Sequence, residues 1–476
     1  MKKIALVLLI SLLFVGCAQA SNENSAFGES EYSYVLSALD DNSTSFDDNL
    51  SHDAISEILS ESSYSDDKSC VNNEIESSDD LSIYPDEESS DGDQAEENKY
   101  LKAVWITQFD LMSVYVENGA QRNEDSFKKL VTKMLDNIKI DGYNTIMLQA
   151  RPYADSFYIS EFFPVSNYIS GRFGNEDIYD AFGIIVGLAN ERNISVHAWI
   201  NPMRGMRTSE ISSVPDKYLI KKWYTDENYR GKYIVEYDGR VYLNPAYEEV
   251  RALIANGAKE ICEKYEIDGV HIDDYFYPTT NTSFDESAYK EYENNGGAKS
   301  LSKFRNEMLD LMVSGMYSAI KSVDNRLLFG ISPVGNIQIT YETLYTDVYK
   351  WCSEEGYIDY ICPQIYFGLE HDTHDFISVF NTWNDIIKTD KVKIYAGMTL
   401  GKAKGLVDNY AGSGKNEWIE NKDVIKRCLE YLQTRSECEG IIMFCYQHMY
   451  NPISGVSVKE TEQERNNMKN ALEKLS

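Results

Sequence analysis

This chain is short of the residues that build metal centres and of those that grip nucleic acid. Only 6 histidines and 8 cysteines occur in 476 residues. The cysteines are Cys17, Cys70, Cys262, Cys352, Cys362, Cys428, Cys438 and Cys445, and no two form a C-x-x-C pair. That spacing argues against a zinc site, and the scatter gives no disulfide framework. Cys362 and Cys445 fall inside predicted strands and read as buried free thiols. His371 and His374 flank Asp372 in a loop, but nothing else there suggests a ligand set. No metal and no cofactor are expected. Cations are scarce as well, with 45 Lys and Arg against 77 Asp and Glu and a net charge of −32. Phosphate backbones repel such a polyanion, so nucleic acid is excluded as a partner.

The apolar run from Ile4 to Val15 is too short to span a bilayer comfortably. It follows Lys2 and Lys3 and leads into Phe14-Val-Gly-Cys17. This reads as a secretory signal over residues 1–16 with a lipobox, in which Cys17 is lipidated and becomes the new N-terminus. Phe14 stands where leucine is usual. The expectation is an extracytoplasmic protein, anchored to the cell membrane by lipid. From Ser21 to Asn98 there are 23 acidic residues against a single lysine, Lys68, and few core formers. Such a segment buries too little apolar surface to offset its ordering entropy. It reads as a disordered, self-repelling tether that holds the rest away from a surface. The folded domain is expected over residues 99–476, and nothing in it demands more than a monomer.

What that domain does have is alternation. Strand patterns at 102–107, 145–151, 195–201, 269–273, 327–333, 359–366, 393–398 and 440–446 are separated by helical stretches. The clearest helices are at 125–138, 180–192, 247–265 and 303–323. Strict β-then-α order implies a parallel sheet with crossover helices. Eight such units imply a closed (β/α)8 TIM barrel of the α/β class.

Side chains alternate faces along a strand, so parity separates two layers. In strand two, Gln149 and Arg151 oppose Ile146, Leu148 and Ala150. In strand three, His197, Trp199 and Asn201 share a face, as do His271 and Asp273 in strand four and Gln364 and Tyr366 in strand six. The polar members gather at the C-terminal ends, where active sites of these barrels open. The segments 152–179 and 202–243, on the same side, are long and rich in Tyr, Trp and Arg. Long loops of that kind are usually functional, and sugar rings stack their C–H faces on aromatic planes.

Several runs together carry a resemblance: Lys102-Ala-Val-Trp-Ile-Thr107, Leu148-Gln-Ala-Arg-Pro152 with Ala154-Asp155, His197-Ala-Trp-Ile-Asn-Pro202, Asp268-Gly-Val-His-Ile-Asp-Asp-Tyr-Phe-Tyr-Pro278 and Pro363-Gln-Ile-Tyr366. Five motifs in this order resemble the glycosyl-hydrolase-like 10 family, also called domain of unknown function 187. The match runs over roughly residues 100 to 450. Ala150 stands where Val is common, and Asn244-Pro245 where Asp-Pro is common. The resemblance implies a barrel glycosidase. It also implies an envelope lipoprotein that cleaves peptidoglycan glycan strands stripped of their peptides.

Glycoside cleavage needs an acid for the leaving oxygen and a nucleophile or base at the anomeric carbon. Parity aims Asp273 into the mouth. One arrangement makes it the nucleophile, with Asp155, Asp274 or Glu370 as acid. In the other, a 2-acetamido group on the sugar is the internal nucleophile, Asp273 polarises it, and Asp274 gives the proton. Adjacent carboxylates push their pKa values apart, which lets one stay protonated near neutral pH. Arg151 is expected to neutralise Asp273 or a substrate carboxylate. Gln149, His197, Asn201, Arg204, His271, Tyr275, Gln364 and Tyr366 are expected to bind substrate, with Trp105 and Trp199 as a stacking floor. The rival function is a glycan-binding barrel that does not cut, but a lectin has no need of two adjacent carboxylates. A deacetylase would need an Asp-His-His metal set, and none is apparent.

Overall fold

The computed structural model describes residues 100–475. The signal sequence, Cys17 and the acidic segment lie outside the described residues. Eight parallel strands close a barrel: β1 Leu101–Ile106, β2 Thr145–Arg151, β3 Ser195–Ile200, β4 Gly269–Ile272, β5 Leu328–Ile331, β6 Tyr360–Ile361, β7 Lys393–Thr399 and β8 Cys438–Phe444. Each pairs with its neighbours in sequence, and β1 closes the ring on β8. Helices of the outer layer include α1 Glu124–Ile140, α2 Ala181–Asn190, α3 Glu248–Lys264 and α4 Leu301–Lys321. Asn123 and Ser300 cap α1 and α4 with side-chain acceptors at N3. The four helices expected from periodicity are all present within two residues of their bounds.

Period-2 patterning divides the core in two. Val104, Ile106, Ile146, Leu148, Val196, Ala198, Val270 and Ile272 face outward and pack under the helices. Leu101, Ala103, Trp105, Met147, Trp199, Tyr360, Tyr395 and Ile442 fill the barrel interior. Layered side chains of this kind make the barrel a packed core rather than a pore. Six cysteines are described, all buried and free, including Cys362 and Cys445.

Two elements depart from the expected pattern. Strand six is regular over only two residues, because Pro363 has no N–H to give the ladder. The pairing resumes at Gln364, which bridges Val334 and Gly397. The segment 202–243 is not an open loop. Arg204–Arg207, Ile234–Tyr237 and Arg240–Leu243 form a three-stranded antiparallel sheet that holds Arg204 beside the barrel mouth.

Candidate active site

The C-terminal ends of the strands form a pocket open to solvent. Asp273 and Asp274 stand at the end of β4, with Gln149 from β2, Trp199 and Asn201 from β3, and Gln364 and Tyr366 after β6. Arg204 and Tyr275 line it as well, so nine of the fourteen expected catalytic and substrate-binding residues meet there. Arg305 of α4 anchors the loop that carries the carboxylates. It is fully buried, pairs with Asp285 at 2.7 Å, and donates to the Thr279 and Asn281 carbonyls.

The two carboxylates sit in different surroundings. Asp273 is buried, and Asp274 is partly exposed. Burial first, and the Asp274 charge second, push the Asp273 carboxyl well above its usual range. The Tyr275 backbone N–H, at 3.4 Å from Oδ1, and the Arg204 charge pull the other way but do not prevail. The Asp274 Oδ1 accepts from Gln364 Nε2 at 3.2 Å, and the same amide donates to the Ser332 carbonyl at 2.9 Å. Arg204 lies over the Tyr275 ring, 4.1 Å from its centroid, with Tyr153 on its other side at 5.1 Å.

Two buried polar atoms of the lining have no protein partner: Gln149 Oε1 and Asn201 Oδ1. Both are acceptors, while the Trp199 indole N–H faces the Asp273 carboxyl and favours its charged form. Buried polar groups are nearly always satisfied, so in an open pocket the two acceptors are available to something that enters. Hydroxyls and amides of a sugar match them in kind.

Five expected site residues lie elsewhere. Arg151 is turned out of the mouth. Gln149 pairs with Trp199 and Arg151 with Ile200, so Ala150 is an extra residue and the alternation skips a step. The Arg151 guanidinium stacks on Phe163 at 4.1 Å, beneath α3. A Cβ at Gly257 would collide with it, which accounts for glycine there. His271 and His197 sit below the pocket. The Trp105 indole donates to His271 Nε2 at 3.1 Å, and Tyr360 Oη lies 3.0 Å from both His271 Nδ1 and His197 Nδ1. An indole N–H only donates, so His271 Nε2 must be the acceptor and Nδ1 carries the proton. Burial lowers both imidazole pKa values, that of His197 to about 4. They are neutral supports of the floor, not ligands of substrate.

Asp155 is fully buried in the loop after β2, accepts from Tyr153 N at 2.9 Å, and does not line the pocket. Burial raises its carboxyl to about 6. Glu370 is half exposed, 3.8 Å from Arg427, and also lies outside the lining. Neither is placed to be the acid. Sequence reasoning missed Thr107, Gln108, Phe109, Tyr153, Ser332 and Phe444, which all line the pocket. Thr107 had a signal, since it ends the predicted strand 102–107, and Ser332 and Phe444 lie near the C-terminal ends of 327–333 and 440–446. No cluster of three potential metal ligands occurs among the described residues.

A closed parallel barrel with two carboxylates in an aromatic cup at its C-terminal mouth defines a glycoside hydrolase. The chain belongs to the glycosyl hydrolase-like 10 family, whose model matches residues 100–409. It is 28% identical over 332 residues to a Bacillus subtilis protein named glycosyl hydrolase YngK, covering 66% of this chain and 63% of that one. It is 24% identical over 383 residues to glycosyl hydrolase DigH of Escherichia coli K12, covering 74% and 84%. In fold it is similar to the PgaB (BpsB) glycoside hydrolase domain of Bordetella bronchiseptica, at a TM-score of 0.50 and 12% identity, over 78% of this chain and 98% of that one.

Proposed function

We propose that this protein hydrolyses an N-acetylated envelope glycan, namely peptidoglycan strands lacking stem peptides, with Asp273 and Asp274 as the reacting pair. The observation that carries the reading is the pocket itself. Among the described residues its only lining carboxylates are these two, beside two buried acceptors that lack partners. The stem-free strand comes from the family likeness. The free acceptors Gln149 Oε1 and Asn201 Oδ1 support a ring bearing hydroxyls and an acetamido N–H.

In the proposed cycle the proton starts on Asp273, the more buried carboxyl, whose pKa burial raises. Asp273 gives that proton to the glycosidic oxygen as the bond to the anomeric carbon breaks. Asp274, whose Oδ1 accepts from Gln364, faces the positive charge that develops there. Water then adds at the anomeric carbon and returns a proton to Asp273. This assignment reverses the expected roles, in which Asp273 was ionised, because the more buried carboxyl is the one that keeps its proton. Lipid attachment at Cys17 would hold the enzyme at the membrane, where such strands are turned over.

The test is release of new reducing ends from stem-free strands by the full-length protein. Asp273→Asn should abolish it. Tight binding with no product from the unaltered protein would instead favour the non-cutting barrel. Globomycin-sensitive processing and loss of membrane fractionation in Cys17→Ala would check the anchor.

A further inference from the structure

We propose that Phe109 is the platform of a second sugar subsite, so that the pocket takes an extended glycan rather than a single terminal ring. This rests on the glycan reading above and goes beyond it in naming the length of ligand required. Phe109 lies on the helix Gln108–Tyr115, which follows β1. The opposite face of that helix is buried through Leu111, Val114 and Tyr115. Phe109 itself is 42% exposed and belongs to none of the described apolar cores.

A lone exposed aromatic is ordinary. Phe109 differs in two respects. It lines the pocket together with its neighbours Thr107 and Gln108. Its backbone is also locked in place from three sides. The buried Asp110 carboxylate accepts from Thr107 N at 2.7 Å, from Thr107 Oγ1 at 2.8 Å, and from Gln447 N, beyond β8, at 2.7 Å. Gln108 Nε2 donates to Tyr153 Oη at 3.0 Å, which ties the helix to the loop after β2. An apolar ring is thus held rigidly at the lip, with 42% of its surface open among the described residues. Rigid aromatic surface binds at low entropic cost.

The position says which ring it would serve. Phe109 follows β1 and the carboxylates end β4, three strands away around the barrel. A sugar stacked on Phe109 therefore lies across the mouth from the reacting centre and belongs to a neighbouring residue of the same glycan.

The experiment compares Phe109→Ala, Phe109→Trp and Met112→Ala in the full-length protein. Substrates are long stem-free strands and the shortest fragment that is cleaved. Met112 is 43% exposed on the same helix but does not line the pocket. Phe109→Ala should raise KM for strands about tenfold, leave kcat within about twofold, and spare the shortest fragment. Phe109→Trp should restore KM, and Met112→Ala should change nothing. An equal loss on both substrates, or no loss on either, overturns the subsite. If the unaltered protein cuts no glycan, the catalytic reading fails separately. Strand binding, measured by calorimetry with and without Phe109→Ala in an Asp273→Asn background, then decides the subsite: a weakening of about tenfold supports it, and equal affinity overturns it.

Discussion

The barrel interior holds two polar layers on the same strands, and they have opposite characters. In the lower layer, Tyr360 Oη hydrogen-bonds both His197 and His271, and His271 also meets Trp105 and Ser332. In the upper layer, Gln149 and Asn201 each keep an atom without a partner, and burial pushes the Asp273 carboxyl well above its usual range. His197 and Trp199 are two residues apart on β3, as His271 and Asp273 are at β4. The difference teaches that polarity inside a barrel does not by itself mark a site. Unspent hydrogen-bonding capacity does so only where it lines an open pocket, since Tyr115 Oη, Tyr143 Oη and both Arg151 terminal nitrogens also lack partners and lie outside it.

If that division is right, substitutions in the two layers should fail in opposite ways. Asp273→Asn should lower kcat by about 10²- to 10⁴-fold, the usual worth of a positioned proton donor. Its melting temperature should not fall, because the carboxyl is already disfavoured by burial in the ionised form. His271→Leu should do the reverse. It orphans the Trp105 N–H and the Ser332 hydroxyl, at roughly 1–3 kcal/mol for each group, while the Tyr360 hydroxyl keeps His197. Denaturant unfolding should show a loss of about 3 kcal/mol, with kcat reduced less than about tenfold. A stable but inactive His271→Leu, or an unfolded Asp273→Asn, would erase the distinction between the layers.

Much of this was legible in the sequence, and the failures have physical causes. Parity placed Asp273, Asn201 and Gln364 in the mouth because β3, β4 and the β6 edge keep regular alternation. It misplaced Arg151 because a bulge at Ala150 costs one step of that alternation, and nothing in the residues Gln149-Ala-Arg151 announces it. Parity also gives a face and not a height. It could not tell His271, in the lower layer, from Asp273 in the upper. Glu370 and Asp155 were drawn in as carboxylates near aromatic motifs, yet the loops carry them to Arg427 and into the packing behind β2. Phe109 was invisible, since an aromatic in a helical segment reads as core until its exposure is known.

The upper layer can be sharpened further through its electrostatics. The Asp274 charge helps to raise the Asp273 pKa. Removing it in Asp274→Asn should let Asp273 lose its proton at lower pH. If Asp273 is the donor, the alkaline limb of kcat should move toward acid in that variant. An unmoved limb, or one displaced to higher pH, would take the proton off Asp273 and reinstate it as the ionised member.

The smallest effect is expected behind the pocket, at Asp155, which tests whether a raised pKa there signals structure instead of catalysis. Its carboxyl titrates at about 6 in the folded protein, against about 3.9 in an unfolded chain. Between these values the folded state holds a proton that the unfolded state has released. Stability should therefore be greatest below pH ~4 as regards this group, fall as the pH rises through that window, and level off above about 6. Asp155→Asn cannot ionise, so this component of the pH dependence should disappear from denaturant unfolding measured across the window. Because the side chain does not reach the lining, kcat/KM should stay within about twofold. A large catalytic loss without a change in the stability profile would return Asp155 to the acid's role.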